Sequence, residues 1–163
     1  MSFEATFNPF IKNPAVLEAQ ELSNAERQER LGDPQVRAQV VAGGMIMDPR
    51  RLYALGDPPN YEPSEEESIE ARAKAAGVDP AEFALDILLE EDGTGQIFMP
   101  ALNYFYGNSN HCLEMLKHPH SVPGLGDGGA HVSFISDASF STYLLTHWAR
   151  DRKDRGEILP VEY

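Results

Sequence analysis

The feature that most constrains this chain is a run of eight residues, Gly124 to His131, in which glycines flank the carboxylate of Asp127 on both sides. Short apolar runs precede and follow it, so we predict that it leaves the end of a strand. Glycine lets a ligand or metal approach the main chain, and a carboxylate at a strand end suits metal binding or proton transfer. The alternative is a tight turn in which Asp127 accepts hydrogen bonds from neighbouring N–H groups. This run alone leaves both interpretations open.

The charge of the chain restricts its partners. Its 163 residues carry a formal net charge of −13, so we expect neither nucleic acid nor an anionic membrane surface as a partner. The acidity is uneven: residues 1–95 hold 19 acidic and 8 basic side chains, and residues 96–163 hold 7 and 5. We therefore expect the first part to form a solvated outer surface and the second to be more buried.

Cysteine usage and apolar segments bear on the compartment. Cys112 is the one cysteine, which excludes an internal disulfide and a cysteine-rich structural zinc site. The first 14 residues lack the basic start and apolar run of a signal peptide, and no apolar run approaches transmembrane length. We expect a cytoplasmic protein.

Capping residues predict most of the helices. Ser and Asp caps followed by Glu or Pro predict helices that start after Ser23, Asp33, Ser64 and Asp79. Glycines predict that the first three end at Gly32, at Gly43 and at Gly77. In the fourth helix Phe83, Ile87 and Leu88 share one predicted face.

The later part of the chain alternates between predicted strands and helices. A short strand is predicted within Ile46–Leu55, a second at Gln96–Met99 and a third at Val122–Leu125. Helices are predicted with Cys112, Met115 and Leu116 inward, and over about Ser139–Arg152 with Leu144, Leu145 and Trp148 as packing residues. This order favours an α/β fold of parallel units.

Several polar residues are candidates for a site near Asp127. His131 lies four residues past Asp127, and we expect it to line the same pocket. Asn103 and Tyr104 follow the predicted strand at Gln96–Met99, where a parallel barrel places its active-site loops. We assign Asn103, Tyr104 and His131 as substrate-contacting residues. Cys112 lies on an apolar helix face and is interpreted as a packing residue.

Other sequence patterns limit the catalytic chemistry that we assign to this chain. His118-Pro119-His120 has the spacing of a metal-binding pair, but it lies in a predicted proline turn after a helix, so we interpret it as a turn. The chain shows no phosphate-binding loop and no G-x-S-x-G elbow. It also lacks a His/Asp/Glu set sufficient for a hydrolytic metal site.

A resemblance to a known family rests on motifs in the second half of the chain. They are Asn103-Tyr104, His118-Pro119, the run from Gly124 to Val132, Asp137-Ala138-Ser139 and the segment from His147 to Arg152. Together they resemble the C-terminal part of N-acyl-D-amino-acid deacylases (D-aminoacylase-like proteins) of the amidohydrolase superfamily. The likeness extends upstream through Gly56-Asp57-Pro58 and Gly77-Val78-Asp79-Pro80, and its most specific part is 124–155.

The resemblance implies a fold and a domain organisation. The family has a metal-dependent (β/α)8 TIM-like barrel, so the chain is expected to be one partial, helix-rich domain from the C-terminal part of that barrel. Residues 1–95 would form an acidic helical insert and outer helices, and residues 96–163 the last two β/α units. Gln96–Met99 would be a late barrel strand and Val122–Gly126 the last one.

The resemblance also implies chemistry. Family members are zinc-dependent hydrolases of the amide bond of N-acyl-D-amino acids, and Asp127 matches the aspartate that contacts the metal and shuttles the proton of the attacking water. The other metal ligands would lie N-terminal to this chain, so we expect a fragment that is inactive and without zinc when alone. A late part of a barrel lacks the strands that close the sheet, so we expect exposed apolar surface near Phe98, Met99, Leu125 and Phe134. We therefore expect the chain to form a homo-oligomer or to associate with a missing N-terminal half. The alternative is a non-catalytic acidic α/β module that binds a partner protein.

Overall fold

The protein has an α/β structure, about half helical with one two-stranded sheet. The structure is a computed structural model that describes residues 1–5, 7–124, 126, 138–156 and 158–162. The chain divides into two compact units, Met1–Pro100 and Ala101–Tyr163. Within the described residues, no helix combines the length and the apolar character that crossing a membrane requires.

The first unit is mainly helical. Its helices and strands are α1 Pro14–Ala19, α2 Asn24–Gly32, α3 Pro34–Gly43, β1 Tyr53–Ala54, α4 Ile69–Ala76, α5 Pro80–Gly93 and β2 Ile97–Phe98. Short 3-10 helices lie at Pro49–Arg51 and Glu65–Glu67. The backbone of α5 leaves helical geometry at Glu90, and Glu91 and Asp92 adopt left-handed angles near the end of this helix.

The capping residues start three helices where the sequence predicts them. Ser23 and Glu26 form a reciprocal capping box: the Ser23 hydroxyl accepts from the Glu26 N–H at 3.4 Å, and the Glu26 carboxylate accepts from the Ser23 N–H at 3.1 Å. Asp33 accepts from two N–H groups of α3, and Asp79 accepts from the Ala81 N–H at 2.8 Å. These predictions are confirmed.

The start of α4 differs from the prediction. The Ser64 box closes only the 3-10 turn Glu65–Glu67, in which the Glu67 carboxylate accepts from the Ser64 N–H at 2.6 Å. The α-helix begins after Ser68, whose hydroxyl accepts from the Ala71 N–H at 3.2 Å. Two serines four residues apart both satisfy the capping pattern, and packing selects the second because Ser68 and Ile69 are buried. The predicted end at Gly77 is confirmed, since Gly77 adopts a left-handed conformation.

One helix of the first unit is not predicted. Asn13 caps α1 by accepting from the Ala15 N–H at 3.1 Å, and Pro14 occupies the first turn. The Asn13 amide also donates to the Val40 carbonyl of α3 at 3.2 Å. The same side chain therefore starts one helix and ties it to another, which a local capping pattern does not reveal.

The sheet is small and antiparallel. Tyr53 pairs with Phe98 and Ala54 with Ile97, so strands form within both predicted segments, Ile46–Leu55 and Gln96–Met99. The other edge of Ile97 exchanges two backbone hydrogen bonds with Met1, at 2.6 and 2.8 Å. The two described strands are antiparallel, so they do not test the parallel packing predicted for the later part of the chain. That packing and the partial barrel stay predictions.

The core of the first unit lies between α1, α2, α3, α4, α5 and the sheet. Its largest fully buried apolar side chains are Phe10, Val16, Leu31, Val40, Leu52, Ile69, Leu85, Leu88 and Ile97. Of the predicted face of α5, Ile87 and Leu88 are buried and Phe83 packs at the margin. Arg27 is buried as well, and its guanidinium donates to the carbonyls of Ala19, Gln20 and Leu22. These carbonyls at and just after the end of α1 thereby gain hydrogen-bond donors.

Asp48 and Tyr53 are among the titratable groups of the first unit whose pKa values are shifted. The guanidinium of Arg50 binds the Asp48 carboxylate, with a closest distance of 2.6 Å, and this hydrogen bond lowers the pKa of Asp48. Burial of the Tyr53 phenol, with a smaller contribution from the Glu65 carboxylate, raises the pKa of Tyr53. Both groups lie near β1 and away from the predicted site residues in sequence.

The second unit contains α6 Asn110–Lys117, α7 Phe140–Tyr143, a π-helix at Leu144–Asp151 and a 3-10 helix at Arg152–Arg155. Its small core consists of Leu113, Trp148 and Leu159. The prediction that Met115 and Leu145 pack inward is wrong, because both are exposed. A π-turn holds more residues than an α-turn, so the predicted α-helical face does not persist past Tyr143.

The predicted third strand is absent from the residues described on either side of Leu125. Val122–Gly124 and Gly126 adopt no regular secondary structure, and Val122 is 90% exposed. Pro123 has no N–H to donate to a sheet, which explains why this short apolar run does not pair on its own.

Candidate functional site

The structure describes only part of the predicted site. Gly124 is exposed, and a side chain added to it would meet no atom within 4 Å. Asp127 and His131 lie outside the described residues, as do Leu125 and Phe134, which the predicted open barrel edge would expose. The roles of Asp127 in catalysis and metal binding and of His131 in substrate contact therefore stay predictions.

The predicted substrate residues Asn103 and Tyr104 lie in a loop that precedes α6. Asn103 is exposed and has a left-handed backbone with φ 59°, which asparagine tolerates better than most residues. Tyr104 is half-buried. The thiol of Cys112, in the first turn of α6, donates to the Asn103 carbonyl at an Sγ–O distance of 3.8 Å. The loop is thus held at the N-terminal end of α6.

This loop also carries exposed apolar side chains. Leu102, Phe105 and Tyr106 are 76%, 72% and 82% exposed, which is unusual for three large side chains within five residues. Phe98 and Met99, predicted to lie near an apolar opening, are half-buried instead. The apolar surface that the structure shows therefore follows β2 along the chain and is concentrated in residues 102–106.

The two histidines of His118-Pro119-His120 lie in a turn, as predicted. His118 ends α6, and its Nδ1 accepts from the His120 backbone N–H at 3.2 Å. The two rings are 5.5 Å apart between centroids, and both residues are exposed. The His118 Nδ1 lone pair is thus used within the turn.

A complete metal site is not found among the residues that the structure describes. No three His, Cys, Asp or Glu side chains there lie close enough to hold one ion. Catalytic zinc normally has three protein ligands and an open fourth position. Any such site would therefore need residues outside the described ranges or outside this chain.

Three aromatic side chains of the second unit form a tight group, the aromatic cluster Tyr143, His147 and Trp148. The rings of Tyr143 and His147 are stacked, with centroids 4.9 Å apart and an interplanar angle of 7°. The Trp148 ring meets His147 edge-on at 5.1 Å. His147 and Trp148 are buried, so the histidine packs within the unit.

Arg152 joins this cluster to α6. It is 1% exposed, its guanidinium carbon lies 4.9 Å from the centroid of the Trp148 ring, and its terminal nitrogen donates to the Asn110 side-chain oxygen at 2.5 Å. Arg152 belongs to the segment from His147 to Arg152 that carries the family resemblance, but its contacts were not predicted. The i,i+4 spacing of Trp148 and Arg152 was the available signal, because such residues are neighbours on a helix surface.

An acidic cleft of about 310 Å³ lies in the first unit. Its polar lining residues are Asp57, Tyr61, Glu90, Glu91 and Gln96. Three carboxylates in one cleft favour a cationic occupant over an anionic one. The cleft was not predicted, because its lining comes from two separate segments of the chain, residues 54–61 and residues 87–96.

Comparison with models of protein families, with characterised proteins and with solved structures finds no match to this chain.

Proposed function

We propose that this chain is the C-terminal portion of a metal-dependent amidohydrolase that cleaves N-acyl-D-amino acids and that it is inactive alone. The observation that carries the proposal is the run Gly124–Val132, in which one carboxylate is enclosed by glycines, together with the segment from His147 to Arg152. The two motifs recur together in the family that the chain resembles.

The environment of the second motif supports the proposal. His147, Trp148 and Arg152 are buried, and they hold one another by ring and cation–π contacts. Because these three residues pack against one another, a change at one of them disturbs the contacts of the others. The α/β composition is compatible with part of a (β/α)8 barrel, in which Gln96–Met99 would be a late strand. Val122–Gly126 would become the last strand only when neighbouring strands supply hydrogen-bond partners.

The proposed mechanism assigns one role to this chain. A catalytic zinc, held mainly by residues of the missing part, would supply an activated water. Asp127 would contact the metal, accept the proton of that water and pass it to the leaving amine. Asn103, Tyr104 and His131 would contact the N-acyl amino acid. Hydrolysis then yields the carboxylate of the acyl group and the free D-amino acid.

A second candidate function is a non-catalytic module that binds a partner protein. The exposed Leu102, Phe105 and Tyr106 favour it, because clustered exposed apolar side chains mark interaction surfaces. The same surface is expected in a chain that associates with its missing half, so exposure alone does not separate the two functions.

The experiment that separates them looks for the missing half. We expect an adjacent upstream reading frame that encodes a strand ending in H-x-H and two further metal-binding histidines. Its product should copurify with this chain, and the pair should retain zinc and release a free amino acid from N-acetyl-D-methionine. A source genome without such a frame, or a copurifying pair without hydrolysis, would favour the binding module.

A further inference from the structure

We propose that Arg152 is a positioning residue that fixes the loop bearing Asn103 and Tyr104, acting through Asn110 and α6. Any effect of this coupling on substrate binding rests on the proposed function, in which that loop contacts the N-acyl amino acid. The coupling itself needs no substrate, because it concerns contacts within the second unit.

The first step is the fixing of Arg152. Its guanidinium has a Trp148 ring on one side and the Asn110 side chain as an acceptor. A planar, charged group held by a ring face and a hydrogen bond has one favoured orientation. Arg152 is 1% exposed, so water competes little for its contact with the ring, and its hydrogen bond with Asn110 is partly buried.

The second step leads from Asn110 to α6. Asn110 is the first residue of α6, and its backbone N–H donates to the Asn108 side-chain oxygen at 3.0 Å. Its side chain is bound by Arg152. The N-terminal end of an eight-residue helix frays readily, so a contact made there decides whether the first turn is held.

The third step leads from α6 to the loop. Cys112 lies two residues after Asn110, and its thiol donates to the Asn103 carbonyl. If the first turn of α6 moves, this contact and the left-handed backbone of Asn103 lose their support. Arg152 therefore sets the position of Asn103 without touching it.

The chain provides one probe at each end of this connection. Trp148 is its one tryptophan and Cys112 its one cysteine, so fluorescence reports the environment of Arg152 and thiol modification reports the first turn of α6. Arg152→Lys keeps the charge but replaces the planar fork with a point charge, which cannot stack on the ring in the same way. Arg150→Lys is the matched control, since Arg150 is exposed and pairs with its neighbour Asp151.

The measurement is the rate at which the intact chain reacts with an aromatic disulfide reagent, followed without denaturant and in low urea. Arg152→Lys should raise the Cys112 rate about three- to tenfold, the factor that loss of one hydrogen bond gives a local opening equilibrium. It should also shift the Trp148 emission. Arg150→Lys should change neither. The excess rate should depend only weakly on urea, because local opening exposes little surface.

A general loss of stability is excluded with Leu159→Ala, which empties a buried position beside Trp148. If that variant raises the Cys112 rate without urea as much as Arg152→Lys does, or if Arg152→Lys matches Arg150→Lys, the coupling is overturned. These outcomes do not depend on hydrolysis: a reconstituted enzyme that fails to cleave N-acyl-D-amino acids would overturn the proposed function and leave the coupling intact.

Discussion

Gly95, in the turn between α5 and β2, has no room for a side chain. An added Cβ would overlap the Ile87 carbonyl oxygen and lie 2.9 Å from its carbonyl carbon. These are backbone atoms of a buried helix, so they cannot move aside as a flexible side chain can. We predict that Gly95→Ala lowers the free energy of unfolding by about 1–3 kcal/mol or more. Urea denaturation followed by circular dichroism measures the change.

Gly32→Ala is the control for this prediction. Gly32 ends α2, is exposed, and an added Cβ would meet no atom within 4 Å. Alanine there should leave stability unchanged or raise it by up to about 1 kcal/mol, through its better helix propensity. Equal stability of the Gly95→Ala and Gly32→Ala proteins would mean that the turn before β2 is not packed against α5 as described.

At the scale of the helix, the start of α4 distinguishes two serines. We predict that Ser68→Ala lowers the free energy of unfolding by about 1 kcal/mol, because it removes the hydroxyl that caps the Ala71 N–H. Ser64→Ala should cost less than about 0.5 kcal/mol, because Ser64 binds Glu67 through its backbone N–H, which alanine keeps. Chemical denaturation of both variants measures the difference, and a larger loss at Ser64 would place the functional cap there.

Short sequence patterns predicted where helices begin better than they predicted which side chains pack inward. The caps at Ser23, Asp33 and Asp79 act on N–H groups two or three residues away, so the sequence alone was sufficient. The wrong inward placement of Leu145 has a different cause: the change from α to π geometry after Tyr143 depends on packing that a periodic pattern does not contain.

The candidate site shows the same limit. Asn103 and Tyr104 were correctly expected in a loop after β2, since a short apolar run followed by a polar and aromatic run is a local pattern. The Arg152–Asn110 contact joins residues 42 positions apart, and nothing in either segment alone indicates the other.

For the whole molecule, exposed apolar surface predicts association. Leu102 and Phe105 are largely exposed, so we predict that the chain forms oligomers at high concentration and binds a hydrophobic dye. The double variant Leu102→Ser, Phe105→Ser should bind less dye and sediment closer to the monomer. Leu145→Ser, at an exposed position outside the loop, is the control. A wild-type chain that stays monomeric at high concentration and binds no dye would contradict this prediction.

The small number of metal ligands in the chain predicts weak zinc binding. Asp127 would supply one ligand, and the residues that the structure describes contain no group of three. We predict that the chain alone loses zinc during dialysis against a mild chelator, as metal analysis would show. Stoichiometric zinc retained through that dialysis would refute this and make His118, His120 and His131 candidate ligands.

The most direct test of the proposed function is the rate of N-acyl-D-amino acid hydrolysis by the chain together with the N-terminal half proposed for it, with and without Asp127→Asn. Asparagine keeps the size of the side chain but cannot accept the proton of the metal-bound water. We predict that kcat falls by a factor on the order of 10²–10⁴. KM should change much less, because the proton transfer stabilises the transition state.

Asp137→Asn, which replaces another carboxylate of the same segment, is the control and should leave kcat nearly unchanged. A large fall in kcat for Asp127→Asn alone, measured as release of the free D-amino acid, is the result that we predict. Equal kinetic effects of the two substitutions would contradict it, and the glycine-flanked carboxylate would then be a turn without catalytic function.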